Sequence, residues 1–222
     1  MINFIEMEIH IVVAGNDGNL SFDAHARISD LLTSSMREKI KNFHSLKDSQ
    51  AFMIGRYLMV HSLKKLGFSD SILDSVRFSD TGRPYLPNST ADFNLSHSGD
   101  YVVCASARNV RIGVDIQKIS PINLSDFSKV FSVYELEKFG NANDTDAELI
   151  ASWTMKEAVI KADGRGFSIS PLEIVLKDSK YAYLNADIWY IQPIPFDPKY
   201  FVHIACDQVI KPENIYIEYI CI

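Results

Sequence analysis

The stretch FNLSHSGDYVVCASARNVRIGVDIQKIS, Phe93 to Ser120, holds the residues on which the fold turns. An alternating run breaks at Ser98-Gly99-Asp100, an apolar run returns from Tyr101, and a further strand begins at Arg111. A hairpin followed by one more strand is expected. In Arg111 to Gln117 the period of two puts Ile112, Val114 and Ile116 on one face and Gly113, Asp115 and Gln117 on the other. An acid thus stands in the middle of a run that reads as buried. A half-exposed strand edge accounts for it as readily as a functional site.

Upstream, residues 7–14 alternate as a strand, and Met7 is a candidate start of translation. Helices are predicted over 23–32, over 35–44 from the capping-box spacing Ser35 to Glu38, and over 48–66, closed by Gly67. Val76 to Phe78 and a Gly82-Arg83-Pro84 turn precede the opening stretch. Downstream, Ser132 to Glu135 forms a second capping box, a long helix spans 147–163, and strands fall near 168–176, 187–192, 200–206 and 215–221. Pro193, Pro195 and Pro198 make one loop, and Ile119-Ser120-Pro121 breaks the pattern. The mixed order predicts an α+β protein of two lobes of about equal size, 1–117 and 118–222.

With 222 residues, 47% hydrophobic and 23% charged, the chain has the composition of a globular protein with a full core. A net charge of -6 gives no general attraction to nucleic acid or to anionic membranes, so neither is expected as a partner, and phosphate binding has to be local. Cys104, Cys206 and Cys221 are odd in number, lack metal-type spacing and sit among apolar neighbours, which suits a reducing cytoplasm. Glu6, Glu8 and His10 stand where a signal peptide carries Lys or Arg, and no apolar run approaches the ~18 residues of a membrane span.

The second decisive segment is ASWTMKEAVIKADGRG, Ala151 to Gly166. At about 100° per residue, Leu149, Trp153 and Ile160 share one face while Ala151, Met155, Ala158 and Ala162 fill the opposite one. A helix apolar on two sides is packed inside. Its polar residues run along two seams, Thr154, Glu157 and Lys161 on one and Ser152, Lys156 and Asp163 on the other. Glu157 and Lys161 suit a plain i,i+4 surface pair. They also suit a polar cavity in which Asp115 and Glu157 offer two hard oxygen ligands to Mg²⁺ and Lys161 neutralises phosphate.

Trp153-Thr154-Met155-Lys156-Glu157-Ala158-Val159-Ile160-Lys161-Ala162-Asp163-Gly164-Arg165-Gly166 resembles the W-x-x-K-E-A-x-x-K-x-x-G-x-G signature of 4'-phosphopantetheinyl transferases of the surfactin-synthetase-activating (Sfp-like) group. Gly113-Val114-Asp115-Ile116, Phe93-Asn94-Leu95-Ser96-His97-Ser98 and Gly82-Arg83-Pro84 resemble three further runs of the family, in its order and spacing, and the resemblance covers roughly residues 7–190. It implies a pseudo-dimer of two lobes, each a small antiparallel sheet packed with helices, with coenzyme A in the cleft between them and no need of a second chain. The implied activity moves the phosphopantetheine arm of coenzyme A onto a serine of an apo acyl, peptidyl or aryl carrier protein and releases adenosine 3',5'-bisphosphate.

By the same resemblance Asp115, Glu157 and the residue at Gln117 are ligands of Mg²⁺ or Mn²⁺, and Lys161 stabilises the leaving side. Glu135 matches a glutamate taken as base or water holder, although its position equally suits a helix cap. His97 matches a phosphate-binding histidine and is, on its own, an ordinary hairpin residue. Arg83 matches a coenzyme-binding basic residue. Lys156 matches the lysine before the glutamate and alternatively pairs with Asp163.

Two departures stand out. Gln117 replaces a common third acid, which weakens the expected grip on Mg²⁺. Asp48-Ser49-Gln50-Ala51 stands where relatives usually show Asp-x-x-Arg, and Arg37, Lys39, Lys41 or Arg56 are candidates to replace the missing coenzyme-phosphate contact. These departures sustain the alternative of a coenzyme A or carrier-binding module with weak or no transferase activity. A Mg²⁺-dependent phosphodiester hydrolase is a further alternative, one that leaves His97, Trp153 and the Gly-Arg-Pro turn unexplained.

Overall fold

The computed structural model describes residues 7–222; the reading of Glu6 against a signal peptide lies outside them. In chain order the elements are Ile9–Gly15 (β1), Phe22–Leu31 (α1), Ser34–Lys41 (α2), Leu46–Lys65 (α3), Arg77–Phe78 (β2), Pro84–Tyr85 (β3), Ala91–Ser98 (β4), Tyr101–Arg108 (β5) and Ile112–Lys118 (β6). Then follow Val133–Gly140 (α4), Thr145–Asp163 (α5), Ile174–Lys177 (β7), Tyr181–Leu184 (β8), Asp187–Pro193 (β9), Tyr200–Cys206 (β10) and Ile215–Ile220 (β11). Two compact α+β units result. One comprises the described residues up to Val110 together with Lys211–Ile222, the other Arg111–Ile210.

In the first unit the sheet order is β11-β1-β5-β4. The expected hairpin is present, with Leu95 opposite Cys104 in the β4–β5 ladder. The sheet is not wholly antiparallel as expected, because β11 runs parallel to β1. Helix α3 lies across β5 and β1. Met53, Ile54, Leu58, Met59 and Leu63 are each almost completely buried, and each such side chain contributes roughly 1.5–3 kcal/mol of transfer free energy. Gly67, at φ +85°, closes α3: the Phe68 amide donates to the Leu63 carbonyl and the Gly67 amide to that of Lys64. The cap of α2 lies two residues before the expected Ser35, because the Thr33 hydroxyl accepts from the Met36 amide.

In the second unit the sheet is antiparallel in the order β6-β10-β9-β8-β7. Helix α5 packs on β6 and β10, with Met155, Val159, Trp189 and Ile191 in the core beneath it. A smaller aromatic cluster joins Phe131, Phe139, Leu149 and Ile150 to Trp153. Asp144 caps α5 through the Ala147 amide, and Gly164 ends it at φ +87°.

The observed division departs from the one expected at 117/118. Strand β6 pairs with β10, which puts Asp115 and Gln117 in the second unit, and β11 returns to pair with β1 in the first. Sequence order alone does not reveal such an exchange, since strand pairing is a long-range choice. The strand expected over 168–176 shortens to Ile174–Lys177 behind two 3₁₀ turns, and β8 adds a strand that the polar residues around it concealed.

Candidate functional site

The site begins with the residue that has no side chain. A Cβ placed on Gly113 lies 2.1 Å from the Ala158 carbonyl oxygen and 2.4 Å from the Ala162 nitrogen. Only glycine therefore lets the backbone of α5 rest directly on β6. That close approach sets Glu157 and Lys161 over the face of β6 that carries Asp115 and Gln117.

Asp115 is 1% exposed, so the half-exposed strand edge is not what the chain builds. Its Oδ1 lies 2.6 Å from Lys161 Nζ, and its Oδ2 accepts from the Gln117 amide at 3.3 Å. Lys161 thus reaches across from helix to strand. Burial pushes the Glu157 carboxyl above its usual range, the charge of Asp115 pushes it the same way, and Lys161 opposes both. Two carboxylates that repel one another, one buried and one half-buried, form a place where a cation lowers the energy.

Among the described residues, no cluster of three or more His, Cys, Asp or Glu side chains is set to hold a metal. Two carboxylates and an amide oxygen do not make a closed zinc cage. They do fit Mg²⁺, which takes one or two carboxylates and fills its remaining positions with water and substrate phosphate.

Glu135 takes the helix-cap place, one of its two expected roles, and Lys156 takes a place other than those expected. Glu135 Oε2 accepts from both the amide and the hydroxyl of Ser132 at 2.8 Å, completing the capping box, while its Oε1 lies 3.1 Å from Lys156 Nζ. Burial alone raises this carboxyl, but the Ser132 donors and the Lys156 ammonium outweigh it and hold it below the carboxylate range. Both of its oxygens are engaged, one on Ser132 and one on Lys156.

Lys156 is fully buried and spends its three protons on Glu135, the Val130 carbonyl at 3.0 Å and the Pro171 carbonyl at 3.2 Å. No proton is left for coenzyme. The expected pair with Asp163 does not form either, because Arg165 takes that carboxylate through Nε at 2.6 Å and Nη2 at 3.0 Å. Lys156 ties α4, α5 and the loop at Pro171 together.

The first unit carries two cavities of about 780 and 390 Å³ whose walls share Phe52, Arg56 and Leu95. Lys39 lines the larger one and holds its Nζ 5.3 Å from the Phe52 ring centre. Exposed His97 lines the smaller one beside Ala51. Arg83 stands next to the larger cavity's Gly82 and Pro84 and pairs with Asp92 at 2.7 Å. Lys41 lines neither cavity. Its Nζ bonds Glu38 at 2.6 Å on an open surface, since α2 turns successive basic residues to different sides.

Three features escaped the sequence reading. Gly113 was legible as a glycine inside a strand, a sign of close backbone approach. His203 stands opposite Asp115 in the β6–β10 register, buried with Nδ1 lacking a hydrogen-bond partner, and burial pushes it down to about 4, so it is neutral at pH 7. Arg56, already a candidate for a coenzyme-phosphate contact, gave no signal that it would stack on Phe52.

Asp115, Glu157 and Lys161 thus come together where α5 lies against β6. Residues 111–206 match the model of the 4'-phosphopantetheinyl transferase superfamily and residues 21–109 match that of the 4'-phosphopantetheinyl transferase N-terminal domain. The chain belongs to the 4'-phosphopantetheinyl transferase superfamily. It is Sfp-like within it: it is 28% identical over 211 residues to 4'-phosphopantetheinyl transferase Sfp of Bacillus subtilis strain 168 and 32% identical over 210 residues to 4'-phosphopantetheinyl transferase ffp of Bacillus subtilis. Each match covers 90% of this chain and 92% of the relative. The L-aminoadipate-semialdehyde dehydrogenase-phosphopantetheinyl transferase of Rattus norvegicus is 29% identical over 204 residues, covering 76% of this chain and 65% of that protein. The family boundary at 111 coincides with the start of the second unit.

Proposed function

We propose that the protein transfers the 4'-phosphopantetheine group of coenzyme A to a serine hydroxyl of an apo carrier protein. The serine oxygen gives its proton to solvent water as it bonds to the pantetheine-side phosphorus of the diphosphate, the bond from that phosphorus to the bridging oxygen breaks, and adenosine 3',5'-bisphosphate leaves with the electron pair. The observation that carries this reading is the buried Asp115–Lys161 pair with Glu157 close enough for the two carboxylates to feel each other.

In this reading Asp115 and Glu157 hold Mg²⁺ or Mn²⁺, with the Gln117 carbonyl as a weaker third donor. The ion, when bound, offsets negative charge on the diphosphate oxygens. Lys161 orients the leaving phosphate and neutralises the charge that grows on it. Gly113 sets the spacing on which both depend, and Glu135 with Lys156 fixes the angle between α4 and α5. Among the described residues no helix is long and apolar enough to cross a membrane. We place the reaction in the cytoplasm and read the chain as a monomer. Cys104 and Cys206 are buried free thiols, and burial pushes that of Cys104 up to about 12 and out of reactivity.

The test is to incubate the protein with coenzyme A, Mg²⁺ and a panel of apo acyl, peptidyl and aryl carriers and then weigh the carriers. A carrier heavier by one phosphopantetheine on its serine is the expected result. Binding of coenzyme A with no carrier modified overturns transfer in favour of a binding module.

A further inference from the structure

Arg56 lines both cavities of the first unit, and Ala51 shares the smaller one with it. Its guanidinium carbon lies 3.8 Å from the centre of the Phe52 ring, one turn earlier on α3. The Nε is buried and has no hydrogen-bond partner. Asp48 and Asp74 also line these cavities, and neither forms an ion pair with it. Burial pushes the guanidinium down to about 10, the response of a half-buried cation with no anion beside it. It stays charged at neutral pH. A half-buried guanidinium whose Nε has no partner is open to an anionic ligand that supplies one.

The other basic candidates around position 51 are engaged. Arg37 gives Nε and Nη2 to the Leu32 carbonyl, and Lys41 pairs with Glu38. Arg77, on the larger cavity, gives Nη1 to the carbonyls of Asp74 and Val76. Arg56 and Lys39 remain, both over Phe52. Ala51 leaves the volume that a longer side chain at 51 would fill, and Arg56 opens onto that same volume.

We infer that Arg56, fixed on Phe52, replaces the arginine missing at position 51 and binds the 3'-phosphate monoester of coenzyme A together with Lys39. This deepens the transferase reading and rests on it. A phosphate monoester suits the pair: a dianion takes charge-assisted bonds from a planar guanidinium fork and from a point-charge ammonium. Arg56 thereby sets the preference for coenzyme A over its 3'-dephospho form.

The experiment is calorimetric binding of coenzyme A and of 3'-dephospho-coenzyme A, without metal, to the wild type, to Arg56→Met and to Ala51→Arg/Arg56→Met. Methionine keeps an apolar stem on Phe52 while removing the charge. The wild type should prefer coenzyme A by about ten- to a hundredfold. Arg56→Met should lose most of that ratio while still binding the dephospho form as the wild type does, and Ala51→Arg should restore it. An unchanged ratio in Arg56→Met overturns the inference. A wild type that binds neither form, with Mg²⁺ added as well as without it, overturns the transferase reading itself. Should Arg56→Met not fold, heteronuclear NMR of the arginine Nε–H groups decides, with the Arg56 signal assigned by its loss in Arg56→Lys. Adenosine 3',5'-bisphosphate should shift that signal far more than adenosine 5'-phosphate does, and equal shifts count against the inference.

Discussion

Replacing Gly113 with alanine tests whether the contact between β6 and α5 sets the site. The new Cβ meets backbone, the Ala158 oxygen at 2.1 Å and the Ala162 nitrogen at 2.4 Å, so no side-chain rotation relieves it. Bringing the nearer contact even to 3.0 Å requires α5 to retreat by roughly 0.9 Å. The same retreat stretches the 2.6 Å Lys161–Asp115 bond toward about 3.5 Å, where a charge-assisted hydrogen bond is essentially gone. Overpacking of this kind costs about 1–3 kcal/mol, and a misplacement near 1 Å in a catalytic constellation costs about a hundredfold in rate. Urea unfolding should show the first, and kcat/KM for transfer the second. A Gly113→Ala protein with wild-type stability and wild-type turnover refutes the reasoning, because the helix would then be free to move without consequence.

Three further outcomes follow from the same geometry. Glu135→Gln still caps α4 but loses the charge facing Lys156; transfer should persist at near wild-type rate with a stability loss of about 1 kcal/mol, and abolished transfer in a folded variant would return Glu135 to the role of base. Gln117→Glu should lower the Mg²⁺ concentration needed for half-maximal transfer, and an unchanged requirement means that residue 117 does not meet the ion. His203, depressed to about 4 in the fold against 6.5 in the unfolded chain, stays neutral while the unfolded chain takes up a proton, so its contribution is full above 6.5 and is lost as pH falls toward 4. His203→Phe should therefore shrink the stability difference between pH 7 and about pH 5 by roughly 2 kcal/mol in urea titrations, and an undiminished difference contradicts a buried neutral histidine.

What the sequence disclosed about this molecule was mostly local. The period of two in β6 assigned Gly113, Asp115 and Gln117 to one face, and the doubly apolar pattern of α5 announced an interior helix whose charges needed a purpose. Side-chain partners were legible only in part. Lys156 and Lys161 lie five residues apart on one helix, yet one is consumed inside the protein and the other reaches Asp115. That difference comes from what α4, β6 and the Pro171 loop place opposite each of them. The exchange of β6 and β11 between units was hidden for the same reason, as was the stacking of Arg56 on Phe52. Long-range packing decides such matters, and it leaves no period in the chain.

The most direct test of the metal assignment is a Mn²⁺ titration followed by electron paramagnetic resonance, with coenzyme A present, on the wild type, Asp115→Asn and Glu157→Gln. The wild type should bind the ion, and each variant should bind it at least about tenfold more weakly while keeping its fold. Wild-type affinity in both variants contradicts the claim that Asp115 and Glu157 share a divalent cation.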